Sequence, residues 1–500
     1  MDAARRTIPR TISQACTISR CPGCFAFAEP AGSLCAERTP EDALQLYNSL
    51  SRSLEEFLPA DASIAVYVCG ITPYDTTHLG HAFTYTCADL LIRYLEYRGH
   101  PVRYVQNVTD IDDDILRAAD RAGEDWKALG DRWTAHFMQD MSALNVRPPD
   151  HYPRASEVIP EICAQVQQLI EKRAAYVSQG SVYFDLRSWP QYGRLSRLSR
   201  DEMLPVANER GNKPDDPNKR APLDFVLWQA QAPGEPAWDS PWGRGRPGWH
   251  IECSSMAGKF LGETVDIHAG GADLIFPHHE SEIAQAEPLS GRPFVRYWMH
   301  IAMVEHEGQK MSKSLGNLVM VRDLLKQWSP DALRLYLADH HYRSSWSYGE
   351  ADLRAAQARA DRLTAAAGGT ASGPAQDAGS GSDGRRAEPG EASRGDTQAQ
   401  PRGADAIQPG RPMDPSAARI AFDRAMEADL DASAALKALE GLAAHVQLAA
   451  ENDAASDEAR QVLRELASVL GLRLGSEAEP PVTQGWELHL ARFQDRASPG

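Results

Sequence analysis

Two thiols, an imidazole and a carboxylate, far apart along the chain, are the side chains best suited to chemistry: Cys69, Cys253, His278 and Glu282. His278 and Glu282 are spaced i, i+4, so a helix would carry both on one face, and Pro277 suits the position just ahead of such a helix. Together the four supply a tetrahedral donor set for zinc. Spacing alone leaves a plainer reading open, two buried structural cysteines and a helix-capping glutamate. Trp249, four residues before Cys253, is placed to wall the pocket between them. A second constellation is His78-Leu79-Gly80-His81. Its glycine lets a nucleotide lie against the backbone, and its imidazoles can donate to phosphate oxygens as charge builds. Taken alone, four such residues could equally be a loop with two surface histidines.

The elements around these residues favour chemistry. Ile64 to Val68 is an apolar, β-branched and aromatic run that reads as a buried strand ending at Cys69-Gly70. From Gly80, the positions Ala82, Tyr85, Leu91 and Tyr94 have helical spacing. The two histidines therefore sit at a helix N-terminus, where phosphates bind. Val102 to Val108 is a second strand, and a further helix begins between Asp110 and Ala122. This order predicts an α/β fold with a doubly wound parallel sheet and ligands at its carboxyl ends. Thr109 then faces the same crevice as Cys69, while Asp110, Asp112, Asp113 and Asp114 read mostly as charge favoured at a helix N-terminus. Asp266 to Gly271 is a strand running into a glycine pair, where the backbone can approach adenosine and Asp273 can accept from a ribose hydroxyl.

His78-Leu79-Gly80-His81 matches the ATP-binding motif of class I aminoacyl-tRNA synthetases, and Lys310-Met311-Ser312-Lys313-Ser314 matches their second motif. Tyr67 to Gly70, Tyr104 to Asp113, Lys219 to Trp228 and Trp238 to Cys253 resemble the cysteine-activating branch, which holds cysteinyl-tRNA synthetase and the mycothiol ligase. The resemblance implies a Rossmann-type catalytic domain with a connective insertion, followed by an α-helical bundle. It implies catalytic roles for His78, His81, Lys310 and Lys313, with the lysines neutralising pyrophosphate as the amino-acid carboxylate attacks the α-phosphate. Gly70, Gly80, Gly270, Gly271, Asp273 and Met311 would join them in binding ATP, which brings Mg2+. Thr109 and Trp249 would contact cysteine. Cys69, Cys253, His278 and Glu282 would hold one Zn2+, to which the substrate thiolate adds, so that serine is rejected because its hydroxyl is a poor zinc ligand.

The acceptor is where the resemblance divides. Glu282 and the following Ile283-Ala284-Gln285 point to tRNA for cysteine. The form of Cys69 to His81, and the short stretch after Leu472, point instead to the amine of glucosaminyl-inositol. The expected function is cysteine activation and transfer to tRNA, with the mycothiol-type ligase as the alternative and an inactive paralogue acting as a binding module as a third reading.

Composition sets the frame. Five hundred residues, 42% apolar, suffice for two or three domains, and a net charge of −17 disfavours indiscriminate nucleic-acid binding without excluding a local RNA face. No apolar run approaches the roughly 18 residues of a membrane span. Scattered cysteines fit a reducing, cytoplasmic setting, and the chain is expected to be monomeric. Residues 1–43, with Cys16, Cys21, Cys24 and Cys35, read as a disordered extension rather than a zinc knuckle. The catalytic domain is expected over 44–328, with its insertion at about 150–220. The bundle is expected over 329–365 and 418–475, interrupted by a low-complexity insertion at 366–417. Residues 476–500 read as a tail without a full anticodon-binding domain.

Overall fold

The computed structural model describes residues 43–74, 77–311, 316–370, 411–449, 453–475 and 481–497. The expectations for residues 1–42, including the four N-terminal cysteines, and for residues 371–410 lie outside the described residues.

Four parallel strands form the central sheet, in the order Val295–Ile301, Val265–Gly271, Ile64–Ile71, Val102–Val108. Period-two alternation along Ile64–Ile71 sorts its side chains between two layers. Ile64, Val66 and Val68 pack with the Leu79–Tyr97 helix, while Ala65, Tyr67 and Cys69 pack with Ile251, Cys253 and Met256 of the Trp249–Leu261 helix and Ile283 of the Glu280–Ser290 helix. Helices on both faces explain why every residue from Ile64 to Cys69 is buried. The strand runs on to Ile71, two residues past the expected stop.

The insertion is an antiparallel sheet in the order Ala175–Ser178, Ser181–Phe184, Phe225–Ala230, Gly245–Pro247. This sheet extends to Pro247 rather than about residue 220, because Phe225–Ala230 and Gly245–Pro247 pair with it as its third and fourth strands. Beyond the core, helices Pro330–Ala338, Glu350–Ala366, Pro415–Glu427, Ala432–Ala449 and Asp453–Val469 follow. The stretch expected to be a tail instead carries the helix Pro481–Ala497. Trp486 buries against the Trp126–Ala143 helix region, its Nε1 donating to the Val146 carbonyl at 2.7 Å, and His489 Nε2 meets the Pro149 carbonyl at 2.7 Å. Among the described residues, no helix is long and apolar enough to cross a membrane.

Candidate active site

The crevice at the carboxyl ends of the strands gathers the expected donors. Cys69 comes from the end of the first core strand and Cys253 from the Trp249–Leu261 helix. His278 sits in the turn Ile275–His279, just before the helix that carries Glu282. Their four donor atoms lie within 4.8 Å of one another and all four residues are buried. Cys69 Sγ is 3.9 Å from Cys253 Sγ and 3.7 Å from Glu282 Oε1, and His278 Nε2 is 3.2 Å from Glu282 Oε1. A tetrahedral zinc, with bonds of about 2.0–2.3 Å, would space its donors by roughly 3.3–3.8 Å. The set therefore fits such an ion closely. Burial and the neighbouring Cys253 and Glu282 push the Cys69 thiol well up, and burial pushes His278 well down. A neutral imidazole is ready to ligate, and a dication is what the crowded thiols and carboxylate lack.

Three histidines that the sequence reading did not single out complete the crevice floor. His268 Nε2 meets the second oxygen of Glu282, Oε2, at 3.0 Å. His279 Nε2 is 3.3 Å from Cys69 Sγ, and its Nδ1 is 2.8 Å from His300 Nε2, whose Nδ1 reaches Ser49 Oγ at 2.8 Å. Cys69, His268, His279 and Glu282 also cluster tightly enough to hold an ion. The set with two thiols suits zinc better, and His268 and His279 are then the outer partners that orient Glu282 and Cys69. The available signal was His268 on a largely apolar strand and His279 beside His278.

Other expected residues fall around this cluster. The Trp249 ring lies 4.4 Å from that of His278, centroid to centroid. It borders a cleft of about 830 Å³ shared with Asp112, Arg117, Lys213, Arg246 and Pro277. Thr109 is buried, its Oγ1 accepting from Asn107 Nδ2 at 3.2 Å. Gly70 donates its N–H to Asn107 Oδ1 at 2.8 Å, and a Cβ on Gly70 would sit 1.5 Å from the Asn107 carbonyl oxygen, so no side chain fits there. Gly270 and Gly271 end the Val265–Gly271 strand. Asp273 is engaged by Arg210 of the insertion at 3.2 Å, a partner the sequence reading did not foresee.

His78 caps the Leu79–Tyr97 helix, its Nδ1 accepting from Gly80 N at 3.1 Å, and its ring stacks on His81 at 3.8 Å. The segment after the second motif runs against this turn: Leu79 N donates to the Val319 carbonyl at 2.8 Å and Val321 N to the Thr77 carbonyl at 3.1 Å. Met311 is buried. Lys313 and the side chain of Lys310 lie outside the described residues.

Residues 57–358 match the family described as tRNA synthetases class I (C) catalytic domain. The chain belongs to this family. Over most of its length the chain is similar to proteins named cysteine-tRNA ligase. It is 48% identical to that of Thermococcus onnurineus over 64% of this chain and 67% of the relative, and 41% identical to that of Dehalococcoides mccartyi strain 195 over 86% of both. Among solved structures, Mycobacterium tuberculosis methionyl-tRNA synthetase in complex with methionyl-adenylate shares the fold, with a TM-score of 0.51 at 16% identity, covering 87% of this chain and 94% of that one.

Two buried histidines, His300 of the crevice floor and His250, whose Nδ1 lies 3.0 Å from His278 Nδ1, give the synthetase a pH dependence. Burial holds His250 and His300 down to about 3, against 6.5 for an open histidine. Below pH 6.5 the unfolded chain takes up protons that these folded residues refuse, so stability is full above 6.5 and falls as the pH drops. At pH 5.5 each should have removed about 1.4 kcal/mol. Urea unfolding of metal-free protein at pH 7.5 and 5.5 measures this, and the drop should shrink in a His300→Asn variant.

Proposed function

We propose that the protein is a zinc-dependent cysteine-tRNA ligase, which makes cysteinyl-adenylate from cysteine and ATP and transfers the cysteinyl group to tRNA for cysteine. The observation that carries this reading is the buried cluster of Cys69, Cys253, His278 and Glu282 at the carboxyl end of a class I sheet, whose first strand leads into the His78 to His81 turn. A bound zinc ion would take the substrate thiolate as a ligand and so select cysteine over serine. The residues do the rest by binding and alignment. Thr109 and Trp249 hold the amino acid. Gly70, Gly80, Gly270, Gly271 and Met311 let ATP lie against the backbone, and Asp273 exchanges Arg210 for the ribose. His78, His81, Lys310 and Lys313 offset the charge that builds on the phosphates as the cysteine carboxylate attacks the α-phosphorus and pyrophosphate leaves with Mg2+. The enzyme works as a monomer.

The amino-sugar acceptor has no support among the similar proteins, which carry the tRNA ligase name, and the inactive paralogue is disfavoured by a complete donor set. Purified enzyme given ATP, Mg2+ and labelled cysteine should yield acid-precipitable label with tRNA for cysteine and no new amide with glucosaminyl-inositol. An amide in the second tube would refute the tRNA assignment, and absence of cysteine-dependent pyrophosphate exchange would refute activation itself.

A further inference from the structure

Glu252 directly precedes Cys253 on the Trp249–Leu261 helix and has no part in the chemistry described so far. It is fully buried, yet neither carboxylate oxygen has a partner of full hydrogen-bond geometry. The charged groups that act on it most strongly, Cys253, Asp112 and Asp110, are all acidic. The cations that act on those two aspartates are engaged with other acids: Arg246, facing Asp112, pairs with Asp113 and Glu235, and Arg154, facing Asp110, pairs with Asp131. A buried carboxylate so placed is costly unless a cation comes to it. That points to a ligand with a positive charge.

The polarity of the neighbouring hydrogen bonds points the same way. Gly70 N–H can only donate, so Asn107 presents Oδ1 to it and is left with Nδ2 to donate to Thr109 Oγ1. The Thr109 hydroxyl has then used one lone pair, and its proton is free to turn toward Glu252, whose carboxylate lies close enough to act on it. What remains on Thr109 is a lone pair, and what remains on Glu252 is an oxygen. Both are acceptors, and both lie beside the donor cluster where the substrate thiol would bind.

We propose that Glu252 recognises the α-ammonium of the amino-acid substrate: its carboxylate turns the Thr109 hydroxyl into an acceptor, and the two together receive the ammonium protons. This rests on the reading of the crevice as the cysteine pocket and adds the group that reads the substrate's amine, a feature separate from the reading of its thiol. A thiol acid without an amine would leave Glu252 as exposed to its own burial cost as the empty pocket does. The pocket therefore discriminates in favour of a charged amine.

The test compares wild type with Glu252→Gln, which keeps shape and removes charge. Two quantities are read: the KM for cysteine in ATP–pyrophosphate exchange, and the inhibition constant of 3-mercaptopropionate, which keeps the thiol and carboxylate but lacks the amine. The variant should raise the cysteine KM about 10- to 100-fold, as expected for loss of a charge-assisted hydrogen bond, with the KM for ATP, the zinc content and the 3-mercaptopropionate constant unchanged. A merely structural role would weaken both ligands in parallel, and that result would overturn the proposal, as would an unchanged cysteine KM. Should Glu252→Gln fail to fold, Thr109→Val carries the same test, because it removes the acceptor that Glu252 sets up, while Thr109→Ser should retain wild-type discrimination. Wild-type enzyme showing no exchange with cysteine would overturn the functional reading and this proposal with it. Wild-type exchange with undiminished discrimination in both Glu252→Gln and Thr109→Val would overturn this proposal alone.

Discussion

Replacing Cys69 with alanine should abolish cysteine-dependent pyrophosphate exchange, by on the order of 1000-fold or more, while leaving the fold in place. Cys69 sits against two of the other three donors and against the outer histidine: Cys253 Sγ at 3.9 Å, Glu282 Oε1 at 3.7 Å and His279 Nε2 at 3.3 Å. Its loss leaves one thiolate, one imidazole and one carboxylate, too weak and too open a set for tight zinc binding. Zinc content should fall from one ion per chain to well below that. The structural cost is small by comparison. Only a sulfur is removed, from a wall also built by Ala65, Tyr67 and Ile251, and a small buried truncation costs about 1–2 kcal/mol. In the metal-free protein part of that returns, because the buried thiol already sits against Cys253 and Glu282. Pyrophosphate exchange, metal analysis and urea unfolding on the same preparation separate these effects. Exchange at the wild-type rate would refute the metal assignment. Loss of exchange accompanied by loss of cooperative unfolding would show that the site holds the fold together rather than serving it.

The chemistry of this chain was more legible in its sequence than its architecture was. Ile64 to Val68 announces itself because a strand covered on both faces is apolar at every position, and the helix from Leu79 because apolar residues recur at helical spacing after a polar turn. His278 and Glu282 were readable because their donors are one helical turn apart. Cys69 and Cys253 were readable because family-like motifs surround them, since no local rule joins residues that far apart. The floor of the crevice was not readable. His268 and His300 lie on strands where a buried histidine takes the place of an apolar residue, and only the pairing of those strands shows that their rings converge on Glu282 and His279. The insertion was cut short for a related reason: nothing within Phe225–Ala230 says which sheet it joins, and only its antiparallel partners Ser181–Phe184 and Gly245–Pro247 place it in the insertion. In Pro481–Ala497 the signal existed. Trp486, Leu490 and Phe493 share one helical face, and all three pack on the main core. A short terminal stretch simply gave that period little room to show itself.

A joint between the catalytic core and the helices beyond it should carry the second large effect: Arg334→Ala is expected to cost about 3–5 kcal/mol of stability. Arg334, on the Pro330–Ala338 helix, is almost wholly buried. Its guanidinium pairs with Asp89, donates from Nη1 to the Leu144 carbonyl at 2.8 Å, and donates from Nε to the Leu470 carbonyl. Gly471 makes room for it: at φ of +72°, a Cβ there would fall 2.1 Å from the guanidinium carbon. Asp89 belongs to the same helix that His78 caps, and it also accepts from Arg93 Nε and from the Arg147 backbone N–H at 2.8 and 2.7 Å. Burial alone would raise the Asp89 carboxyl, but Arg93 and Arg334 outweigh it and hold the group below the ordinary carboxylate range. Removing Arg334 leaves that carboxylate buried with half its compensation and two carbonyls without a donor, which is the expensive half of a broken pair. Changing both partners to apolar residues, Asp89→Leu with Arg334→Met, removes the stranded charge and should recover much of the loss, so the pair's coupling appears in a double-mutant cycle of urea unfolding. The sign with pH follows from the depressed carboxyl. The stabilisation is complete above the ordinary aspartate range, near pH 4, and is lost as the pH falls through the lower folded-state value. The Arg334→Ala penalty should accordingly shrink below pH 4. A penalty that persists unchanged into acid would mean that packing around Leu144 and Leu470, not the buried charge, holds the joint.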